Sequence, residues 1–355
     1  YSNVSYLLPI YYANVGFTPA QSGLLVSAFY FATLIFRLLL GNVLVRSGFK
    51  RLFVIGGIST VAASVWIVLA GSSFCSAFAA RFLLGVGTAF SQISLATYQS
   101  LAFEERERGL AFSLIMAGGL APMMTIVPIA DWLLAHGCFT LYIIIPVLLT
   151  SAMAFLTVFV LNTEDVVLDS SHAAANPLRG IGDCLKIPEL SLALFSMFLF
   201  SLTDAASAFM ASMTSSYGLM ASYFLSSNAV IGVLVRLFLG KVLDRYPRRR
   251  LSVPIIAGMS LMLLFASISP SRGSLMLLGV VFGVGMGFGF PLHLALVSDN
   301  APLRLQPQAI ALTWFLVAFD FALVPLTTSY ISGFTDPVTG FRAVVVFILA
   351  GAAYE

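Results

Sequence analysis

The chain nearly repeats itself in RLLLGNVLVRSGFKR, at residues 37–51, and RLFLGKVLDRYPRRR, at residues 236–250. Each copy closes a long apolar run with a cluster of basic side chains, so the same boundary between an apolar segment and a charged loop occurs once in each half. An internally repeated, strongly apolar chain indicates a membrane protein assembled from two related halves.

Composition places the chain in a membrane. Hydrophobic residues make up 59% of it, charged residues make up 9%, and the mean hydropathy is +0.99. Soluble domains carry about 25% charged residues. A spanning helix needs about 20 apolar residues, whereas the strands of a membrane barrel alternate apolar and polar residues, which residues 61–70 do not. We therefore predict an all-α membrane protein that contacts the lipid bilayer and binds no nucleic acid.

Twelve spanning helices are expected in the complete protein. The predicted segments are 1–15, 22–45, 51–71, 75–101, 109–134, 139–161, 188–213, 218–240, 251–269, 274–299, 309–333 and 340–355. The one long polar stretch, 162–187, is predicted to link two six-helix bundles, residues 1–161 and 188–355. Because the first and last segments are short for spans, we expect residues to be missing at the ends.

Basic residues predict the orientation, because cytoplasmic loops are rich in Lys and Arg. Most of the 18 Lys and Arg residues fall in alternate loops: Arg46, Lys50, Arg51, Arg106, Arg108, Arg179, Lys186, Lys241, Arg245, Arg248, Arg249, Arg250 and Arg304. Arg272 and Arg342 fall in the opposite loops. The linker and both termini are therefore predicted to be cytoplasmic, in a bacterial inner membrane or a plasma membrane.

Residues 41–51 and 240–250 resemble the signature of the major facilitator superfamily, Gly-x-x-x-Asp-Arg/Lys-x-Gly-Arg-Arg/Lys-Arg/Lys. Val45 stands at the usual Asp position in the first copy, and Pro247 at the usual Gly position in the second. The resemblance implies two six-helix bundles around a central cavity that opens alternately to the two sides. The glycines and charged residues of both copies are expected to gate it: Gly41, Arg46, Lys50, Arg51, Gly240, Asp244, Arg245 and Arg248.

Two further segments are similar to motifs of this family. RFLLGVG at 81–87 is similar to a fourth-span motif whose arginine is associated with proton coupling, and it is echoed by VFGVG at 281–285. GGLAP at 118–122 is similar to part of an antiporter signature. The chain thus looks like the drug or metabolite:proton antiporters of the family, which implies export.

Ionised side chains in the bilayer cost about 2.5–3.5 kcal/mol on insertion scales, so they usually mark functional sites. Asp320 lies near the middle of the eleventh span in a stripe with Thr313 and Thr327, and Asp204 lies in the seventh span. We expect both acids to face a water-filled pathway and to exchange protons. The alternative is that neighbouring hydroxyl or backbone groups cap them, so that they only hold helices together.

Arg81 begins a polar stripe on the fourth span that suits hydrogen bonding to a solute and proton coupling. An ion pair with Asp131, at the same end of the next span, is an alternative that can coexist with these roles. Asp131 is therefore expected to take part in proton coupling together with Asp320, Asp204 and Arg81. Arg37 and Arg236 are expected to extend to the cytoplasmic interface. The candidate solute-binding residues are polar or aromatic side chains within spans: Gln92, Thr88, Tyr98, Gln99, Tyr30, Trp314, Thr313 and Ser207.

The sequence contains no catalytic cluster, phosphate-binding loop or metal-ligand spacing, and its three cysteines are scattered. An enzyme, a metal site and a cofactor are therefore not expected. We predict a monomeric secondary transporter that exports a small organic solute in exchange for protons. Two alternatives stay open. One is an uptake symporter for a carboxylate, nutrient or metal complex in which Arg81 binds the anion, and the other is a non-transporting receptor or structural membrane protein.

Overall fold

A computed structural model describes residues 7–47, 49–69, 73–102, 122–160, 182–239, 248–302 and 305–354. Across these ranges the chain forms helices joined by short turns, with no strand. The helices are α1 (Leu8–Val15), α2 (Pro19–Ser47), α3 (Phe49–Leu69), α4 (Phe74–Ala102), α5 (Pro122–Ala135), α6 (Phe139–Val160), α7 (Pro188–Ser207), α8 (Met210–Ser216), α9 (Ser222–Leu239), α10 (Arg248–Ile268), α11 (Arg272–Asn300), α12 (Gln306–Ser332) and α13 (Pro337–Tyr354).

The prediction of an all-α membrane protein is confirmed. Each of the twelve predicted segments overlaps at least one of these helices. Within the described ranges, seven helices are long and apolar enough to cross a membrane, and α5, α6, α9 and α13 contain shorter apolar stretches. Because consecutive spans cross in opposite directions, one end of the bundle carries the turns at 16–18, 136–138, 217–221, 269–271 and 333–336. We call this the distal end, since it lies opposite the basic clusters.

Segment 188–213, which was expected to form one helix, is broken. α7 ends at Ser207 and α8 begins at Met210. Between them, the N–H groups of Ala208 and Phe209 donate to carbonyls three residues back, each at 3.1 Å. This is the tighter 3₁₀ pattern, which often marks a break or bend between helices.

Glycines of the internal repeat bring helices into close contact in both halves. Gly85 of α4 lies against the backbone of Phe29 in α2, and Gly283 of α11 lies against the backbone of Asn228 in α9. A Cβ atom on Gly283 would lie 2.7 Å from the Asn228 carbonyl oxygen, which is closer than van der Waals contact allows. The repeat seen in the sequence therefore corresponds to the same close approach in each half.

The helices of each half pack mainly on one another. α4 contacts α2 and α3, and α3 contacts α6, whereas α11 contacts α9 and α10, and α12 contacts α7 and α13. The halves meet where α2 packs along α12 and where α1 touches α8. Most of the linker lies outside the described residues, so the division at 162–187 stays a prediction.

Small side chains allow α2 and α12 to approach closely near the distal end. Gly23 of α2 lies against the side chain of Ser329 and the backbone of Pro325. One turn further along α2, Ser27 Oγ donates a hydrogen bond of 2.7 Å to the carbonyl of Ala322. The two halves are therefore joined here by the close approach of two helix backbones and not by contacts between long side chains.

α5 and α9 form a further contact between the halves. The backbone N–H of Ser222, the first residue of α9, donates to Asp131 Oδ2 at 2.6 Å, and the N–H of Ala221 also lies within hydrogen-bonding range of this carboxylate. Asp131 is 4% exposed. A second hydrogen bond, of 3.3 Å, runs from Ser226 Oγ to the carbonyl of Met123. Asp131 thus places a carboxylate at the positive end of a helix in the other half, which is a favourable charge–dipole contact.

We expect Gly23→Ala to destabilise the contact between α2 and α12. A Cβ atom at this position would lie 2.6 Å from the carbonyl oxygen of Pro325, so the helices must separate. Gly258→Ala is the matched control, because a Cβ atom on Gly258 of α10 meets no atom within 4 Å and alanine favours a helix over glycine by about 0.5–1 kcal/mol. Thermal unfolding in detergent should give a lower Tm for Gly23→Ala and an unchanged or higher Tm for Gly258→Ala. Equal Tm values would contradict the close contact.

Asp131→Asn is expected to weaken the contact between α5 and α9, because it removes a buried negative charge from the positive end of α9 and leaves a single oxygen for the N–H groups of Ala221 and Ser222. Asp336→Asn is its control: Asp336 also accepts a backbone N–H at a helix start, from Thr339 at 2.9 Å, but it is exposed, and asparagine caps helices about as well as aspartate. Thr339 also holds the pKa of Asp336 below its usual value. We expect a loss of about 1–2 kcal/mol for Asp131→Asn, read as a lower Tm. A Tm no lower than that of Asp336→Asn would show that the contact contributes little.

Candidate solute and proton site

Asp320 lies in α12 against α7 and is fully buried, with 0% of its surface exposed. Its Oδ2 accepts a hydrogen bond from Ser201 Oγ of α7, and its Oδ1 is buried with no hydrogen-bond partner in the described part of the chain. Thr313 is also fully buried, and its hydroxyl donates to the carbonyl of Ala309 at 2.9 Å. The expectation that Asp320 and Thr313 line an open pathway is therefore wrong for this conformation, because helix packing encloses both.

Asp204 lies in α7 and is half-buried. No residue that the structure describes donates a hydrogen bond to its carboxylate. Arg236 of α9 and Tyr30 of α2 both lie within electrostatic range of it. Arg236 does not extend to the interface as expected, since its Nη2 donates to the carbonyl of Met286 in α11 at 3.3 Å. Because Tyr30 belongs to the first half, Asp204 lies near the boundary between the halves.

Arg81 is fully buried and joins α4 to the backbone of α2. Its Nε donates to the carbonyl of Leu25 at 3.2 Å, and its Nη2 lies 3.5 Å from the carbonyl oxygen of Val26. Its guanidinium carbon lies 5.1 Å from the centre of the Phe29 ring. The ion pair with Asp131 that the sequence left open does not form, since Asp131 caps α9 instead. In this conformation Arg81 therefore holds α4 against α2.

Arg37 turns inward rather than extending to the interface as expected. Its Nη2 donates to Gln92 Oε1 of α4 at 2.5 Å, and its Cζ lies 5.5 Å from the centre of the Trp314 ring in α12. One to two turns nearer the distal end, the rings of Tyr30 and Phe321 lie 5.1 Å apart. Three of the predicted solute-binding residues, Gln92, Tyr30 and Trp314, therefore lie where α2 meets its neighbours, and Arg37 joins two of them across the halves.

The remaining predicted site residues divide into two groups. The hydroxyls of Thr88 and Ser207 donate to carbonyls of their own helices, those of Leu84 and Asp204, at 2.8 and 2.6 Å. Arg51 is exposed. The other predicted solute-binding and gating side chains lie outside the described ones: Tyr98, Gln99, Gly41, Arg46, Lys50, Gly240, Asp244, Arg245 and Arg248. Their roles stay predictions.

Ser201 was not among the site residues predicted from the sequence. The available signal was its spacing, since Ser201 and Asp204 are three residues apart and share a face of an otherwise apolar helix. The pairing of Ser201 with Asp320 joins positions distant in the chain, so spacing does not reveal it. Among the side chains that the structure describes, no three or more His, Cys, Asp or Glu side chains are grouped as metal ligands.

A small cleft lies between the halves at the distal end. Its walls come from α1, α2, the break between α7 and α8, and α12: Pro9, Gly23, Val26, Tyr30, Ala208, Phe209, Pro325 and Ser329. The cleft is narrow because α2 and α12 are in contact beside it. The break in α7 therefore lies at the boundary between the halves, close to Tyr30.

Comparison with solved structures shows the same fold. A POT family transporter in complex with 5-aminolevulinic acid aligns with a TM-score of 0.80 at 10% identity, covering 99% of this chain and 91% of that one. The nucleoside transporter NupG aligns with a TM-score of 0.70 at 16% identity, covering 99% and 96%. The E. coli fucose:proton symporter FucP, as its N162A variant, aligns with a TM-score of 0.61 at 14% identity, covering 99% and 94%.

A search of curated proteins found no match to this sequence. The family described as Major Facilitator Superfamily matches residues 1–325. The similar structures named above are all transporters, whereas the narrower resemblance to drug or metabolite antiporters has no counterpart among them. With its helices, its repeated glycines and this match over most of its length, the chain belongs to the Major Facilitator Superfamily.

Proposed function

We propose that this protein is a secondary transporter that moves a small organic solute by alternating access, driven by protons that Asp320 and Asp204 exchange. The observation that carries the proposal is the contrast between these two acids on neighbouring helices. Asp320 is enclosed with one hydroxyl partner, whereas Asp204 keeps a small exposed fraction, has no hydrogen-bond donor among the described residues and lies within electrostatic range of Arg236. Two acids in different surroundings can hold protons at different stages of a cycle.

The surroundings of Asp320 suit a neutral acid. Burying an ionised carboxylate without a paired cation is strongly unfavourable, and the described residues place only Ser201 against it. In the packed conformation Asp320 therefore holds a proton. To release this proton, the contact between α7 and α12 has to admit water or a cation.

Asp204 suits a solute with a positive charge. It lies near the boundary between the halves, where the aromatic rings of Tyr30 and Trp314 provide apolar surface. Arg37 is already engaged by Gln92 and Trp314, and Arg236 Nη2 by the carbonyl of Met286. The Asp204 carboxylate has no hydrogen-bond donor among the described residues. We therefore propose a cationic or amphipathic solute, exchanged for protons and exported by a monomer from a cytoplasm that faces the basic clusters.

Uptake by symport is the second candidate. Arg37 and Arg236 are cations near the same boundary and would suit a carboxylate or another anion if a conformational change freed them. One of the structurally similar proteins is named a fucose:proton symporter. The direction in which a pH gradient drives the solute distinguishes the two candidates.

The test uses the full chain in proteoliposomes, with a solute selected by a thermal-shift screen at two pH values. We expect an imposed pH gradient to increase net flux, and Asp320→Asn or Asp204→Asn to reduce this gradient-driven flux at least tenfold, since an amide does not exchange the proton. Asp320→Asn should keep counterflow, which needs no net proton movement. Asp336→Asn, the exposed acid-to-amide control, should behave like the unmodified chain.

Two results would contradict the proposal. Flux that does not respond to the gradient, or that survives in Asp320→Asn with its full gradient dependence, would remove the proton coupling. Binding of the solute without any flux or counterflow would favour a receptor or structural protein instead.

A further inference from the structure

Ser201 has one hydroxyl proton and two acceptors within reach. Its Oγ lies at hydrogen-bonding distance from Asp320 Oδ2 and 3.2 Å from the main-chain carbonyl of Phe198, in the same helix α7. A hydroxyl donates one hydrogen bond and accepts up to two. Ser201 therefore cannot donate to both oxygens at once, and the state of Asp320 decides which one receives its proton.

With Asp320 protonated, a chain of two hydrogen bonds is complete. The acid donates from Oδ2 to Ser201 Oγ, and Ser201 donates to the Phe198 carbonyl, so that both protons are used. Hydrogen bonds in such a chain strengthen one another. The uncharged Oδ1 is left without a partner among the described residues, which costs far less than an unpaired charge.

With Asp320 ionised, the same contact is poorly satisfied. Ser201 turns its proton from Phe198 to the carboxylate, and this single charge-assisted bond must stabilise a buried anion whose Oδ1 has no described donor. The helices packed against α12 carry these titratable or charged groups within their spans: Tyr30 and Arg37 of α2, Asp204 of α7, His293 of α11 and Arg342 of α13. None of these described groups is hydrogen-bonded or ion-paired to Asp320.

We propose that Ser201 is a positioning residue that responds to the proton on Asp320 and couples its release to movement of α7 away from α12. This inference rests on the proposed function, in which Asp320 exchanges protons. Loss of the proton leaves Oδ1 in need of a water molecule or a cation, which enters only if the two helices separate. α7 is the helix that breaks at Ala208 and Phe209, and these residues line the distal cleft. If α7 and α12 separate at Ser201, this movement therefore takes place next to the boundary between the halves.

Infrared difference spectroscopy of the full chain in lipid vesicles, titrated with pH and with no solute present, tests the proposal directly. Asp320→Asn identifies the carbonyl band of the protonated Asp320. In Ser201→Ala this band should move to higher frequency, because the acid loses its acceptor. The midpoint of its titration should move to more alkaline pH by about half a unit or more, which is a threefold change in the ratio of the two forms. The reason is that the anion loses the one charge-assisted bond that the described residues give it.

Two variants separate this role from simple packing. Ser201→Thr keeps the hydroxyl and should restore both the band position and the midpoint. Ser196→Ala is the matched control, since Ser196 is also fully buried in α7 but its Oγ has no hydrogen-bond partner among the described residues; it should leave both quantities unchanged. If Ser201→Ala does not fold, Ser201→Cys, a weak donor of similar size, should give a smaller shift in the same direction.

The outcomes distinguish the two proposals. An Asp320 band whose position and midpoint are the same in Ser201→Ala as in the unmodified chain would overturn the role of Ser201, while the proposed function would stand if Asp320→Asn still abolishes gradient-driven flux. The absence of any Asp320-dependent band between mildly acidic and mildly alkaline pH would show that Asp320 does not exchange protons, and would overturn both.

Discussion

The constraint on which this structure depends is that hydrocarbon offers no hydrogen-bond partners, so polar groups within the bundle must find theirs in the protein. The hydroxyls of Thr203 and Thr328 bond to carbonyls one turn back in their own helices. The cations Arg81 and Arg236 hold main-chain carbonyls of neighbouring helices. The hydroxyls are therefore satisfied within one helix and the cations join helices in pairs, and the polar groups that remain incompletely satisfied among the described residues mark the places where chemistry is possible.

Asp320 and Asp204 are two such places, and both lie on or against α7. This helix contacts α12 through Ser201, is broken beside the cleft at the distal end, and carries Asp204 near the first half of the chain. A change in charge at either acid therefore acts on α7, whose regular geometry is already broken at the boundary between the halves. Such a helix is a suitable place to link proton binding to a rearrangement of the two halves.

The contact between the halves is close but made of few strong interactions. Gly23 allows backbone approach, Ser27 supplies one hydrogen bond, and Asp131 caps a helix of the other half. Without a supporting hydrophobic effect inside a bilayer, helix association depends on such packing and on individual hydrogen bonds. An interface of this kind can be stable and still open at moderate cost, which alternating access requires.

Composition and repeated spacing determined by themselves that this chain is a helical membrane protein with two related halves. They were sufficient because an apolar stretch of about 20 residues indicates that the segment lies in the hydrocarbon of a bilayer. The repeat was informative because Gly85 and Gly283 have the same packing role at matching positions. Only the tertiary structure decided which polar groups meet. In the folded chain Asp320 is enclosed beside Ser201, Arg37 lies against Trp314, and Asp131 caps α9. Each of these contacts depends on which helix lies opposite the residue. The spacing of residues along one helix carries no information about the neighbouring helix.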